Sequence, residues 1–414
     1  MRAAVQDLCL SPDVQLVDTP RAAAILLVAG DVAEVHREAL ARTHDLLPHP
    51  RATVAWGTPD PLARLGSAGT SIDLDDDPVQ ALRRLFHELL TGRRPSEPPL
   101  LPDVDPVEWR GAGPYGQGGT GMTGGTPYGR PMAELGPDRD GLRLDVLPVS
   151  LGPFFPHLPA GFVVDLKVAG DVVTEVAPVA VAGRRPSAAA SAHTSSSFIR
   201  ALFEPVPIAE LELARAREHL RWLADALAGQ GLLALGLRAL RLAHDVRPGE
   251  GDRIRAFNGR LRHTGLFRWS LPRVGQLDPA RLAGQGLGPI ARAAGLAEDV
   301  RLEDPGYRAL GFAPFVMDQS DPAGSWHVRI EESARALELA AHAGERTTTP
   351  IGRVESPRGR LEPGDSPTSR VLKLVPEILP GLEWGDAIAT LISLDLDLDE
   401  AGAAAAAGAM RATA

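Results

Sequence analysis

The spacing of apolar residues divides the chain into three regimes. In the first, short continuous apolar runs alternate with helical periods. Residues 22–29 (AAAILLVA) are apolar throughout, the pattern of a strand covered on both faces. After Gly30 and Asp31 comes a helical set of Val32, Val35, Leu40 and Leu46. Residues 52–56 read as a second strand, and residues 78–90 as a second helix carrying Val79, Leu82, Leu85 and Leu89. Strands alternating with helices imply right-handed crossovers and a parallel sheet. Residues 1–92 are therefore expected to form an α/β domain with a parallel sheet.

The second regime has period two. Leu142, Leu144 and Val146 alternate with Arg143, Asp145 and Leu147, and a proline-rich bend follows. The segments 162–168 and 172–176 then flank Gly170 and Asp171, which predicts a hairpin. From residue 198 onward the period is helical. Leu213, Leu220, Leu223 and Leu227 share one face; Leu233, Leu237 and Leu240 a second; Ile254, Phe257 and Leu261 a third; Trp326, Ile330, Ala334, Leu337 and Ala341 a fourth. Helices of this length with short breaks predict a bundle. Residues 93–140, rich in Gly and Pro and without period, are expected as a connector, 141–400 as one α+β domain, and 401–414 as a frayed Ala-rich tail.

Composition narrows the chemistry. The 414 residues are 44% hydrophobic, enough for two or three cores. A formal net charge of -10 argues against a nucleic-acid partner. No window reaches the length of a membrane span and no signal peptide is expected, so membrane association would go through partner proteins. The single cysteine, Cys9, cannot hold a cubane cluster or a nickel–iron site, and it excludes internal disulfides, so no cofactor is expected. Gly119, Gly121 and Gly124 match G-x-G-x-x-G, but no apolar strand precedes them and no helix opens after them, so the segment reads as flexible connector.

Several segments resemble the subunits shared by respiratory complex I and the [NiFe] hydrogenases. Residues 19–22 (TPRA) with 26–32 (LLVAGDV), and 47–51 (LPHPR) with 54–58 (VAWGT), are similar to the small, cluster-bearing subunit. Thr58 and Pro59 stand where that family places a cluster cysteine. The bend Gly152-Pro153-Phe154-Phe155-Pro156 with its hairpin resembles the start of the large subunit. Residues 214–223 (ARAREHLRWL), 287–295 (LGPIARAAG), 328–333 (VRIEES) and 354–359 (VESPRG) continue the likeness in order, and Asp386 with 393–395 (SLD) closes it. The chain as a whole resembles a fusion of the small and large subunits, the B and D subunits of NADH-quinone oxidoreductase, without their metal-ligand cysteines. The resemblance implies a flavodoxin-like parallel-sheet domain for residues 1–92 and, for the second domain, the hairpin plus helical bundle of the hydrogenase large-subunit type.

The resemblance implies a cavity beside the bend, holding quinone in one branch and nickel–iron in the other. Its candidate residues here are Phe154, Phe155, His157, Arg358 and Asp395. Phe155 and Pro159 occupy positions where the complex I branch has histidines. His157, two positions off register, reads either as a half-exposed loop histidine or as a substitute proton donor. No tyrosine lies between Tyr128 and Tyr307, so the family's pocket tyrosine has no counterpart. Arg358 is expected to pair with Asp395, either to hold the core or to bind a ligand. Asp395, Asp397 and Asp399 alternate, which suits a hard cation or a solvated strand edge. The implied function is a peripheral, metal-free and redox-inactive subunit docked on ion-translocating membrane subunits at the cytoplasmic face. One alternative is a quinone-handling subunit of an NADH:quinone oxidoreductase-type complex. The other is a soluble metal-free protein with a small-ligand pocket.

Overall fold

The first apolar run becomes strand β1 (Ile25–Ala29) in the computed structural model, which describes residues 1–103, 133–137, 141–179 and 196–413. It pairs in parallel with β2 (Ala52–Trp56), which pairs in parallel with β3 (Thr70–Ile72). Every residue of β2 is buried, as its apolar composition requires. Helix α1 (Arg2–Leu8) opens the chain, α2 (Arg37–Asp45) follows β1, and α3 (Pro78–Leu90) follows β3. Asp77 caps α3 by accepting from the Val79 amide at 2.9 Å, and Leu82, Leu85 and Leu89 pack on Ala52, Val54 and Trp56.

Two expectations are corrected here. A flavodoxin-like sheet places β1 between its neighbours, whereas the order in this sheet is β1-β2-β3. Val35, assigned to the apolar face of the helix after β1, is 70% exposed, because α2 begins only at Arg37.

The second sheet is antiparallel, in the order β4 (Glu134–Pro137), β5 (Arg143–Leu151), β6 (Val164–Ala169) and β7 (Val172–Val176). The hairpin lies where Gly170 and Asp171 place it. The segment read as connector is structured at both ends. Glu97 is buried and accepts from the Thr53 amide at 2.9 Å, Leu100 is buried, and β4 forms the sheet edge. Backbone pairing and one buried carboxylate order these residues without any apolar period. The glycines at 119, 121 and 124 lie outside the described residues.

The third regime forms the bundle: α4 (Ile208–Gly229), α5 (Leu233–Asp245), α6 (Gly251–Leu261), α7 (Gly288–Ala293), α8 (Pro322–His342), α9 (Trp384–Ser393) and α10 (Leu398–Thr413). Leu220, Leu223, Leu227, Leu240, Ile254, Phe257, Trp326 and Ile330 fill its centre. Trp222 and Trp326 meet edge to face at 5.1 Å. A short hairpin of β8 (Val354–Ser356) and β9 (Gly359–Leu361) lies against it. No helix among the described residues is long and apolar enough to cross a membrane.

The Ala-rich tail is not frayed. It is the body of α10, with Ala404 and Ala407 buried and the Gly364 amide donating to the Ala404 carbonyl at 2.7 Å. Alanine has the highest helix propensity, and Gly408 lets the helix close on Gly364, where a Cβ would meet backbone at 2.5 Å.

The α/β unit docks through α1. Arg2 pairs with Asp225 of α4 at 2.7 Å, Gln6 donates to the same carboxylate at 2.7 Å, and Arg221 pairs with Asp7 at 2.8 Å. The bend contributes too, since Phe154 packs with Val28, Leu40 and Leu62 of the first unit.

Candidate functional site

Helix α4 carries Glu212, Arg215, His219 and Trp222 on one stripe, three or four residues apart, and that stripe faces inward. From α8 come Arg329 and Glu332, also three apart. Arg292 lies in α7, Asp299 and Arg301 follow it, Glu355 and Ser356 lie in β8, and Arg358 turns between β8 and β9. Asp395 and Asp397 lead from α9 into α10, and Glu400 sits in the first turn of α10. The fold brings the charged residues into two adjoining clusters, one around Arg292 and one around Arg358. The backbone of residues 355–357 bridges them, its carbonyls accepting from Arg215 and Arg329.

Arg292 is the hub. Fully buried, it donates to Asp299 at 2.9 Å, to Glu355 at 2.7 Å and to Glu332 at 3.1 Å. Arg301 grips Asp299 through two parallel hydrogen bonds of 3.0 and 2.7 Å and lies 4.2 Å from the Phe312 ring. Glu212 accepts from Arg215 at 3.1 Å, from Arg301 at 3.2 Å and from the Tyr307 hydroxyl at 2.6 Å. Arg215 also donates to the carbonyls of Ser356 and Glu355, at 2.9 and 2.7 Å.

At the other end Arg358 is surrounded by acids. It lies 3.0 Å from Glu218, 3.1 Å from Asp397, 3.4 Å from the Asp395 carboxylate and 3.5 Å from Glu400, and it donates to the Asp395 carbonyl at 3.1 Å. Arg329 reaches Asp395 from the opposite side at 3.2 Å and stacks 4.9 Å from the Trp222 ring. Asp395 therefore sits between two arginines, with a positive φ of 52°.

A buried charge is tolerated only when paired, and here carboxylates outnumber guanidinium groups. The surplus is relieved by protonation. Burial, and then the charge of Asp299, push the Glu355 carboxyl up to about 7. Burial pushes Glu400 up to about 8 against the pull of Arg358. Burial lowers His219 to about 4, so its ring is neutral at pH 7 although Nε2 lies 3.4 Å from Glu332. Burial also lowers Arg329 to about 10, which leaves it charged at neutral pH. For Glu332 burial opposes ionisation, yet Arg292, His219 and Arg301 together outweigh it and hold the carboxylate well below its ordinary range.

Open space at the site is small. A seam lined by Leu287, Ile290, Arg358, Thr368, Leu394 and Asp395 has no room for a water. A crevice between His157, Arg2, Trp222, Asp225, Ile392 and Asp395 measures about 10 Å³, the size of one water. His157, with φ 65°, stands at this crevice with Nε2 3.7 Å from Asp18.

The residues singled out from sequence divide. Arg358 and Asp395 lie at the centre of the acidic end, and His157 lies at the crevice beside Asp395. Phe155 packs into the hairpin core with Leu151 and Phe162, whereas Phe154 faces the α/β unit, away from the network. The alternating aspartates are not a strand edge: Asp395 is buried, and Asp397 caps α10 by accepting from the amides of Asp399 and Glu400, each at 2.9 Å. Among the described residues no group of three His, Cys, Asp or Glu side chains could hold a metal ion. Cys9 is half-buried against the bundle core, and burial raises its thiol.

Sequence reasoning missed Arg292, Asp299, Arg301, Glu332, Glu212 and Glu400. The signal was present as charges on apolar stripes. Glu212, Arg215 and His219 share a face with Leu223, and Arg329 and Glu332 lie among Trp326, Ile330 and Ser333.

No protein-family model matches the chain, and no curated protein does. Among solved structures, a chain of the membrane-bound sulfane sulfur reductase, an archaeal respiratory membrane complex, is similar with a TM-score of 0.45 and 18% identity. That match covers 62% of this chain and 98% of the other. A likeness of this extent leaves the functional argument to the residues.

Proposed function

We propose that the chain is a peripheral, metal-free and redox-inactive subunit of a complex I-like or energy-converting-hydrogenase-like membrane complex that translocates protons or cations. One observation carries this reading. The segments that resemble the large subunit (214–223, 287–295, 328–333, 354–359 and 393–395) lie far apart in sequence, yet their charged residues meet in two adjoining buried clusters. Arg215, Arg292 and Glu332 lie in one and Arg329, Arg358 and Asp395 in the other, bridged by backbone carbonyls that accept from Arg215 and Arg329. Beside Asp395, the space that would receive a head group holds at most one water. The two clusters act as a rigid ionic core, and the surface of the subunit is left to meet partners.

Affinity purification of the tagged full chain from detergent-solubilised membranes tests the assignment. Antiporter-like membrane subunits are expected to co-purify. Their consistent absence, or stoichiometric iron or nickel in the isolated chain, would overturn it.

The quinone-handling reading has one observation in its favour, His157 beside Asp395 at the crevice. It requires the crevice to open. A saturable rise in melting temperature with a short-chain quinone, abolished by Arg358→Ala and His157→Ala, would establish it in place of the redox-inactive reading.

A further inference from the structure

The segment from Arg253 to Leu277 holds Arg253, Arg255, Arg260, Arg262, Arg268, Arg273 and His263 without one acidic residue, in a chain whose net charge is -10. Arg253 and Arg255 are committed to Glu250 and Glu338. Among the described residues, no carboxylate forms an ion pair with the guanidinium of Arg260, Arg262, Arg268 or Arg273, although Asp321 accepts from the Arg273 backbone amide at 2.8 Å, and all four side chains are exposed. Between them in sequence, Trp269 is 75% exposed.

The local backbone sets this indole outward. Residues Leu266–Ser270 form one turn of π-helix, which shifts side-chain directions relative to an α-helix. Gly265, with φ 79°, lies under the ring: a Cβ there would be 2.5 Å from the Trp269 ring carbons. Leu266 is buried beneath and Phe267 packs on Trp326, so the turn is anchored while Trp269 is not. The Arg268 guanidinium lies over the indole, 5.3 Å from its centroid.

We infer that this turn is a membrane-surface contact, in which Trp269 enters the headgroup region of an anionic bilayer and Arg260, Arg262, Arg268 and Arg273 bind lipid phosphates. Charge complementarity selects the occupant. An acidic protein is repelled by an anionic bilayer over most of its surface, so its approach is confined to a basic face. Indoles, with an apolar body and a polar N–H, prefer the interfacial layer. Basic residues near an anionic leaflet add attraction that fades within a Debye length.

The test uses the purified full chain and vesicles without protein, so its failure is distinct from failure of the co-purification experiment. Flotation is expected with phosphatidylcholine vesicles containing about one-third phosphatidylglycerol, and not with phosphatidylcholine alone. Binding is expected to weaken roughly fivefold per arginine in Arg262→Ser and Arg268→Ser, and to fall with added salt. The exposed Arg64→Ser on the α/β unit should bind as wild type. Brominated lipids should quench tryptophan emission in wild type, with the quenching lost in Trp269→Phe. Equal binding to neutral and anionic vesicles, no flotation, or quenching retained in Trp269→Phe would each overturn the inference. So would patch variants that lose a co-purifying protein while the wild type ignores vesicles, which would make the surface a protein interface.

Discussion

Arg292 satisfies three carboxylates at once, so removing it leaves them buried and mutually repelling. Breaking a buried pair from one side costs about 3–5 kcal/mol, and Arg292→Met should lower the urea midpoint accordingly. A change below about 1 kcal/mol would show that solvent reaches the network. The two protonated glutamates give a pH signature. Glu355 and Glu400 keep their protons up to about 7 and about 8 in the folded chain, against 4.5 ordinarily. The folded state binds more protons in that window, so this contribution is complete below 4.5 and is lost as pH rises through 7 and 8. His219 works in the opposite sense, its contribution being complete above 6.5 and lost as pH falls toward 4. From pH 6.5 to 8 the decline continues, for Glu355 until pH passes about 7 and for Glu400 until it passes about 8, by up to about 1.4 kcal/mol per pH unit while the folded chain still holds the proton. His44, which burial lowers but hydrogen bonds to Glu97 and Asp45 raise above its ordinary value, adds a decline of the same sign. Urea titrations at three pH values should show the decline in wild type and a flatter profile in the Glu355→Gln, Glu400→Gln double variant. A flat wild type would refute the assignment.

At the scale of elements, the hairpin, α3, α4, α6 and α8 follow from the period of their apolar residues, because each buries one defined face, although Ala341 at the end of the α8 stripe is exposed. Helix α5 departs from its expected stripe, since Leu233 is 60% exposed and Gly236, Ala239 and Ala243 join Leu240 on the buried face. Elements held by other forces were not legible. Strand β4 is defined by its pairing with β5, and its run Glu134-Leu135-Gly136-Pro137 has no apolar face to announce it. Helix α10 draws on alanine propensity and close approach to Gly364, which composition alone made look like fraying. Phe155 tests the bend. It is partly buried among hairpin and α9 residues, so Phe155→Ala should destabilise the chain by about 2 kcal/mol. An unchanged thermal midpoint would mean that the bend contributes nothing to the core.

Over the whole molecule, the α/β unit and the bundle are joined by α1 on α4 and by Phe154. If these contacts suffice, fragments 1–103 and 133–414, expressed together as separate chains, should elute as one complex on a sizing column. Adding Asp225→Ala, which removes the partner of both Arg2 and Gln6, should loosen it. Fragments that elute apart even with Asp225 intact would show that the covalent connection does the holding. By itself the sequence determined the regimes of secondary structure, the absence of thiolate ligands, and the presence of Arg358 and Asp395 as partners worth seeking. Periodicity and residue counts are local or additive properties, so they can be read without the fold. Only the tertiary structure decided that charges from α4, α7, α8, β8 and the α9–α10 turn share one dry interior. Pairing among buried charges depends on distances between segments up to 180 residues or so apart, and neither side-chain period nor composition encodes those distances. The same reason hid the role of Glu355: its proton affinity is set by the company of Asp299 and Arg292, which only the folded chain supplies.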